Sequence, residues 1–123
     1  MLDNPLSNLF WEQSRQGEAD VLRVSGSFCL VSAEKLDEFR ELAKGLDSQR
    51  CVLDLREVTY IDSAGLGVIA LMARFAAANA TTLVVVPSPP VKRLMMSTGL
   101  DRAVLFADSI PAALDAKAEP ASD

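Results

Sequence analysis

Two spacings of apolar residues alternate along the chain. Five stretches have apolar residues at every second position or in short continuous runs, as is typical of strands. They cover residues 9–12, 20–28, 50–58, 81–86 and 104–106. The first stretch is followed by polar residues and predicts a short strand with a hairpin, whereas Pro87 ends the β-branched fourth stretch.

Four other stretches have apolar residues at the three- and four-residue spacing of helices. They cover residues 32–45, 63–79, 89–99 and 108–116. Ser32 is predicted to cap the first helix, and Pro89 and Gly99 mark the start and end of the third. The second helix is apolar on nearly every side except at Arg74, as expected for a helix packed into a core.

Strand and helix patterns alternate, which implies right-handed crossovers and a mostly parallel sheet. We predict an α/β fold, with one domain built on a four- to five-stranded, mostly parallel mixed sheet flanked by helices. The domain is expected to span residues 1–115, with its core in residues 20–115, and residues 116–123 are expected to form an acidic flexible tail. Functional surfaces of such sheets usually lie at the carboxyl ends of the strands. Those ends are residues 27–31, 58–65 and 87–90.

The charge distribution narrows the choice of partners. The chain has 17 acidic and 12 basic residues and a net charge of -5, and it has no cluster of Lys and Arg. Nucleic acid and anionic membranes are therefore not expected as partners, because both require basic surfaces. Residues 64–73, the longest uncharged apolar stretch, are about half a membrane span, and the first residues lack the features of a secretory signal. A cytoplasmic protein without direct membrane insertion is expected.

The absence of histidine limits the chemistry. It excludes Ser-His-Asp and Cys-His hydrolases, and Cys29 and Cys51 form no CxxC pair on which a zinc or haem site could be built. We expect no metal, no cofactor and no catalytic activity. In a parallel sheet the two cysteines would lie about 20 Å apart, too far for a disulfide. They are expected as buried apolar fillers, with single modification of Cys29 as the alternative.

The segment before the apolar helix reads Tyr60-Ile-Asp-Ser-Ala-Gly-Leu-Gly. Asp62 or Ser63 can cap the first amides of the helix, and Gly65 and Gly67 let another backbone approach closely. A phosphate on Ser63 would lie at a helix N-terminus, where free amides favour an anion, and would add about −1.5 to −2 charges. These residues indicate a regulatory switch at Ser63. In the alternative interpretation they only cap the helix and allow helix–sheet packing.

This segment, after a Leu-Asp-Leu strand, resembles the signature of STAS-domain proteins, specifically of anti-sigma factor antagonists. The resemblance covers roughly residues 20–115 and continues in three further segments. They are Val24-Ser-Gly-Ser-Phe, Pro90-Val-Lys-Arg-Leu-Met-Met-Ser-Thr-Gly-Leu-Asp and Leu105-Phe-Ala-Asp-Ser. The resemblance implies a single STAS-like domain.

The resemblance also implies a function. In that family the serine after the Asp is phosphorylated by a partner that is both a serine kinase and an anti-sigma factor. The unphosphorylated antagonist binds this partner and frees the sigma factor. Ser63 would then be the phosphorylation site and Asp62 would orient the loop, with a phosphatase as a further candidate partner. The expected partner-binding residues are Asp62, Ser63, Ala64, Gly65, Leu66, Gly67, Phe28 and Leu30.

One segment departs from the family pattern. Many members have Gly-Glu-Leu-Asp after the first main strand, whereas this chain has Gly26-Ser-Phe-Cys, so both acidic positions are absent. Phe28, Leu30 and Val31 make this segment apolar, and an exposed apolar patch beside a switch residue fits protein binding. The alternative, in which these side chains fold into the core, stays open.

Two other classes of function compete with this one. STAS-like domains also occur in transport systems, so the chain could be an accessory subunit of a membrane transporter, such as a lipid ABC transporter. It could also be an enzyme that uses the Asp62–Ser63 loop to hydrolyse a nucleotide, although it lacks a GxxxxGK[ST] phosphate loop.

Overall fold

The apolar stretches of the sequence become strands of one sheet. The computed structural model describes residues 8–29 and 33–117, and within them five strands pair. The strands are β1 (Leu9–Gln16), β2 (Ala19–Phe28), β3 (Arg50–Ile61), β4 (Thr82–Pro87) and β5 (Leu105–Phe106). Their order in space is their order along the chain, with β1 antiparallel to β2 and the other pairs parallel. The predicted mostly parallel mixed sheet is confirmed.

The helices begin and end close to the predicted residues. They are α1 (Ala33–Lys44), α2 (Ser63–Ala78), α3 (Pro89–Thr98) and α4 (Ile110–Asp115). Gly99 ends α3 with a φ of 81°, a left-handed conformation that glycine adopts without strain. A short 3-10 turn at Leu100–Ala103, which the sequence did not predict, follows directly. The predicted cap Ser32 lies outside the described residues, as do residues 118–123 of the predicted tail.

Alternating residues of the strands face two apolar clusters. The larger cluster joins α1, α2 and α3 to the sheet through residues such as Leu53, Phe39 and Ile69, all fully buried. The smaller cluster joins α4 to the sheet through Val52 and Ala113. The Arg50 guanidinium also donates a hydrogen bond to the carbonyl of Ala113, which holds α4 in place. The sheet is therefore covered on one face by three helices and on part of the other by one.

The carboxyl ends of β2, β3 and β4 meet at one edge of the sheet. β3 runs three residues beyond the predicted end, because its pairing with β2 continues to the partners Phe28 and Ile61. The Ser88 hydroxyl, just after β4, donates a hydrogen bond of 2.8 Å to the carbonyl of Val58. The three ends predicted to form one surface are thus joined, as far as the described residues extend. None of the helices in the described ranges is long and apolar enough to cross a membrane.

Candidate functional site

Asp62 is the residue that caps α2. Its backbone is extended, and its Oδ1 accepts hydrogen bonds from the amides of Ala64 at 2.9 Å and Gly65 at 3.2 Å. These are amides of the first turn, which have no partner within a helix. The Asp62 amide donates to the carbonyl of Phe28 at 3.4 Å. Of the two cap candidates that the sequence left open, Asp62 therefore has this role, and it also ties the loop to β2.

Ser63 is the first residue of α2, and its side chain is exposed. Since Asp62 supplies the cap, the Ser63 hydroxyl is not needed to complete the helix. The position also tolerates an anion, because the positive end of the helix dipole lies there. Exposure and location thus make Ser63 accessible to a modifying enzyme at the carboxyl edge of the sheet.

The two glycines of the first turns have different surroundings. A Cβ atom on Gly65 would overlap the carbonyl oxygen of Phe28 and would lie 2.8 Å from its Cδ2 atom. At Gly67, which is exposed, the same atom would meet nothing within 4 Å. Gly65 therefore allows helix–sheet packing, whereas Gly67 leaves an open surface beside Ser63. Gly65, one of the residues predicted to bind a partner, is buried.

Phe28 is not part of an exposed apolar patch. It is fully buried and its ring makes an edge-to-face contact with Phe39 at a centroid distance of 5.5 Å. Ser27 and Cys29 are buried as well. For Phe28 the core alternative holds, because α1 places an aromatic ring against it. Leu30, the second apolar residue predicted to bind a partner, lies outside the described residues.

Two shallow grooves flank the start of α2. The first, of about 530 Å³, lies between α2 and the 3-10 turn after α3. Its lining residues are Ser63, Leu66, Gly67, Ala70, Thr98, Gly99, Leu100, Arg102 and Ala103. The second, of about 380 Å³, lies between the end of β3 and α3. Its lining residues are Thr59, Tyr60, Ile61, Pro90, Arg93, Leu94 and Ser97.

The predicted site residues are thus divided between surface and core. Ser63, Leu66 and Gly67 line the first groove together, and Ala64 and Asp62 are half-buried beside it. The sequence did not predict the opposite wall, which Leu100 and Arg102 provide. These residues are far from Ser63 along the chain. A signal for their position was the Gly99 helix end, which turns the chain back toward α2.

A network of charged side chains on the sheet joins β2 and β3. Asp54 is buried and accepts hydrogen bonds from Arg56 at 2.9 and 3.0 Å. Arg23 forms an ion pair with the same carboxylate at 3.8 Å. Burial raises the pKa of the Asp54 carboxyl, but the hydrogen bonds and charge of Arg56, aided by Arg23, outweigh it and hold that pKa below its usual value. The network is a paired charge inside the sheet.

The described residues also locate the acidic groups and the two cysteines relative to Ser63. In the part of the chain that the structure describes, no group of three or more Cys, Asp or Glu residues could hold a metal ion. Cys51 is buried far from Ser63, at the amino end of β3, and burial together with the charge of Asp20 raises the pKa of its thiol to about 12. No disulfide joins it to Cys29. Ser63 itself is exposed and lines the first groove.

Comparison with known proteins agrees with the fold. Residues 11–107 match the protein family described as Mlab, STAS domain. The chain is similar in structure to an anti-sigma factor antagonist from Mycobacterium paratuberculosis, with 24% identity and a TM-score of 0.79, covering 92% of this chain and 96% of that one. It is also similar to phosphorylated SpoIIAA from Bacillus, with 21% identity and a TM-score of 0.60, covering 86% and 97%. RsbS from Moorella thermoacetica is 18% identical, with a TM-score of 0.68 and coverage of 85% and 92%.

Proposed function

Because this chain belongs to the STAS-domain family, we propose that it is an anti-sigma factor antagonist whose binding to its partner is controlled by phosphorylation of Ser63. The unphosphorylated chain binds an anti-sigma factor with serine kinase activity and so releases the sigma factor. The observation that supports this most directly is the position of Ser63, exposed at the first residue of α2 and on the wall of an apolar groove. Of the solved structures with this fold, one is an anti-sigma factor antagonist, one is SpoIIAA in its phosphorylated form, and one is a variant of RsbS.

A phosphate on Ser63 acts on binding and leaves the fold intact. At the N-terminus of a helix an anion changes stability by only a few tenths to about 1 kcal/mol, and usually favourably. In an interface the same group is buried without water, and an unpaired buried charge destabilises a complex by several kcal/mol. Each 1.4 kcal/mol is a tenfold change in affinity. Phosphorylation therefore separates the partner from a chain that stays folded.

The contact surface in this proposal is the exposed part of the predicted site. Ser63 and Gly67 are exposed, and the half-buried Leu66 adds an apolar side chain to the same groove. Asp62 and Ala64 contact the partner at the margin and hold the loop in the form that the kinase binds. A phosphatase that reverses the modification acts on the same exposed hydroxyl.

Substitutions at Ser63 test the proposal. The kinase partner is recovered from its cells by co-purification, and its affinity for each variant is measured by titration calorimetry. Ser63→Ala is expected to bind tightly and to resist phosphorylation, and Ser63→Glu is expected to bind at least about tenfold more weakly while melting near the parent temperature. Ser14→Glu, an exposed serine on β1 at the opposite part of the sheet, is the matched control. Equal affinities for the alanine and glutamate variants would remove Ser63 from the mechanism.

A second candidate is an accessory subunit of a membrane transport system. This candidate rests on the match of residues 11–107 to the family described as Mlab, STAS domain. The same co-purification distinguishes the two, because a transporter ATPase or a kinase-like anti-sigma protein would dominate the recovered material.

A further inference from the structure

The charged residues that line the two grooves are basic, although the chain as a whole is acidic. Arg102 is the charged residue among those that line the first groove, and Arg93 has that position in the second. The whole chain carries a net charge of -5. No carboxylate of the described residues lines either groove. The linings of the two grooves are therefore largely uncharged, with one arginine in each.

Neither arginine is used to stabilise the fold through charge. Within residues 8–29 and 33–117, Arg93 and Arg102 form no ion pair, and both are exposed. The three ion pairs on α1, by contrast, each join residues three positions apart, as in Arg40 with Asp37 at 3.2 Å. The two arginines beside the grooves are thus available to a second molecule.

We infer that the grooves bind a segment of the partner protein that carries apolar side chains and carboxylates. Its apolar side chains pack against Leu66 and Leu100 in the first groove. Its carboxylates pair with Arg102 there and with Arg93 in the second groove, where a planar guanidinium can bind both carboxylate oxygens. This inference rests on the proposed function and specifies the chemistry of the partner. Positive charge on this chain then determines which partner segments the site binds.

A phosphate on Ser63 would act on the charge of the first groove. Ser63 and Arg102 line the same groove, which carries one positive charge before modification. A phosphate adds about −1.5 to −2 charges, so the groove changes from about +1 to between about −0.5 and −1. An acidic segment that was attracted is then repelled. The switch works by reversing the sign of the groove.

Charge-reversal variants of the two arginines test the inference against the kinase-like anti-sigma protein from the co-purification. Arg102→Glu is expected to weaken binding by at least about tenfold, and Arg93→Glu by several fold, with unchanged melting temperatures. Lys117→Glu is the matched control, since Lys117 is exposed after α4 on the other face of the sheet and makes the same change of charge. Its affinity should equal that of the parent.

A salt titration provides the second measurement. Raising sodium chloride from about 0.05 to about 0.5 M should weaken the parent complex, and the double variant Arg93→Gln, Arg102→Gln should show a much smaller salt dependence. Equal affinity for the parent and both arginine variants would overturn the inference, even if Ser63→Glu still weakens binding. If the parent chain binds no anti-sigma protein, the proposed function fails first. A change in self-association of the arginine variants, measured by sedimentation, would assign the grooves to a second copy of this chain and would also overturn it.

Discussion

The backbone of Gly65 packs directly against the carbonyl group of Phe28. A Cβ atom at Gly65 would overlap that oxygen, and backbone atoms on both sides leave little room for adjustment. Gly65→Ala is therefore expected to destabilise the fold by about 1–3 kcal/mol, in the range of overpacked core substitutions. Urea unfolding of the variant measures the loss.

Gly67→Ala is the control for this prediction, since it lies in the same helix with open space around its Cα. Alanine favours a helix over glycine by about 0.5–1 kcal/mol, so this variant should be as stable as the parent or slightly more stable. The larger Gly67→Val should weaken partner binding more than it lowers the melting temperature. If Gly65→Ala unfolds at the parent urea concentration, the close packing of α2 on β2 is not essential.

The Asp62 cap leads to a second prediction. Asp62→Ala removes the acceptor for the amides of Ala64 and Gly65 and is expected to destabilise the fold by about 1 kcal/mol. Asp62→Asn keeps an acceptor of the same shape and should recover most of that stability. Thermal unfolding of the pair distinguishes the cap from a role of the charge alone. Similar losses in both variants would mean that the negative charge, and not the hydrogen bonds, stabilises the helix.

The sequence predicted the ends of α2 and α3 well because their signals are local. Asp62, Pro89 and Gly99 act within one turn of the helix that each begins or ends. The choice between Asp62 and Ser63 as cap could not be made from the sequence, because both residue types have the required oxygen. The structure decides it, because the backbone of Asp62 is extended and its side chain accepts the hydrogen bonds of the helix amides.

Features that depend on distant residues could not be predicted in this way. Thr59 and Tyr60, near the end of β3, are exposed, and they form a strand because β2 continues beside them. The burial of Phe28 depends on Phe39 of α1, and the groove beside Ser63 depends on the path of the chain at Leu100. In each case the contacting residues are far apart in the sequence and are brought together by the tertiary fold.

The paired charge of Asp54 predicts a dependence of stability on pH. Its folded-state pKa lies below the ordinary value of 3.8, so the stabilisation is present above that value and is lost as the pH falls through the lower folded-state pKa. Asp54→Asn should lower stability at about pH 7 by about 1–2 kcal/mol, at the modest end because Arg56 is 43% exposed.

Urea unfolding of the parent and of Asp54→Asn across acidic pH tests this. The difference between the two should shrink as the pH falls below the ordinary value, because the parent carboxyl then also loses its charge. Glu57→Gln, an exposed carboxyl on the same strand, is the control. A difference that stays constant from about pH 7 to about pH 2 would show that Asp54 is not stabilised by its arginines.

The thiol of Cys51 is expected to be unreactive in the folded chain. It is buried and its pKa is raised to about 12, and the reactive form is the thiolate. At about pH 8, alkylation by iodoacetamide should be at least about a hundredfold slower in the native chain than in urea. Mass spectrometry of the peptide that contains Cys51 follows the reaction, and an exposed cysteine introduced by Ser14→Cys provides the reference rate. Alkylation of Cys51 at that reference rate would contradict its burial.

The first strand has a consequence for how short a working chain can be. β1 forms one edge of the sheet, pairs with β2 over its full length, and places Trp11 against Phe39 at 5.5 Å. A chain that began at residue 20 would lose it, and β2 would become the edge, with a long row of unpaired amides and carbonyls beside buried Leu22 and Val24. Exposed apolar edges of this kind pair with other molecules. The first strand thus protects the domain against aggregation, although the switch itself lies elsewhere.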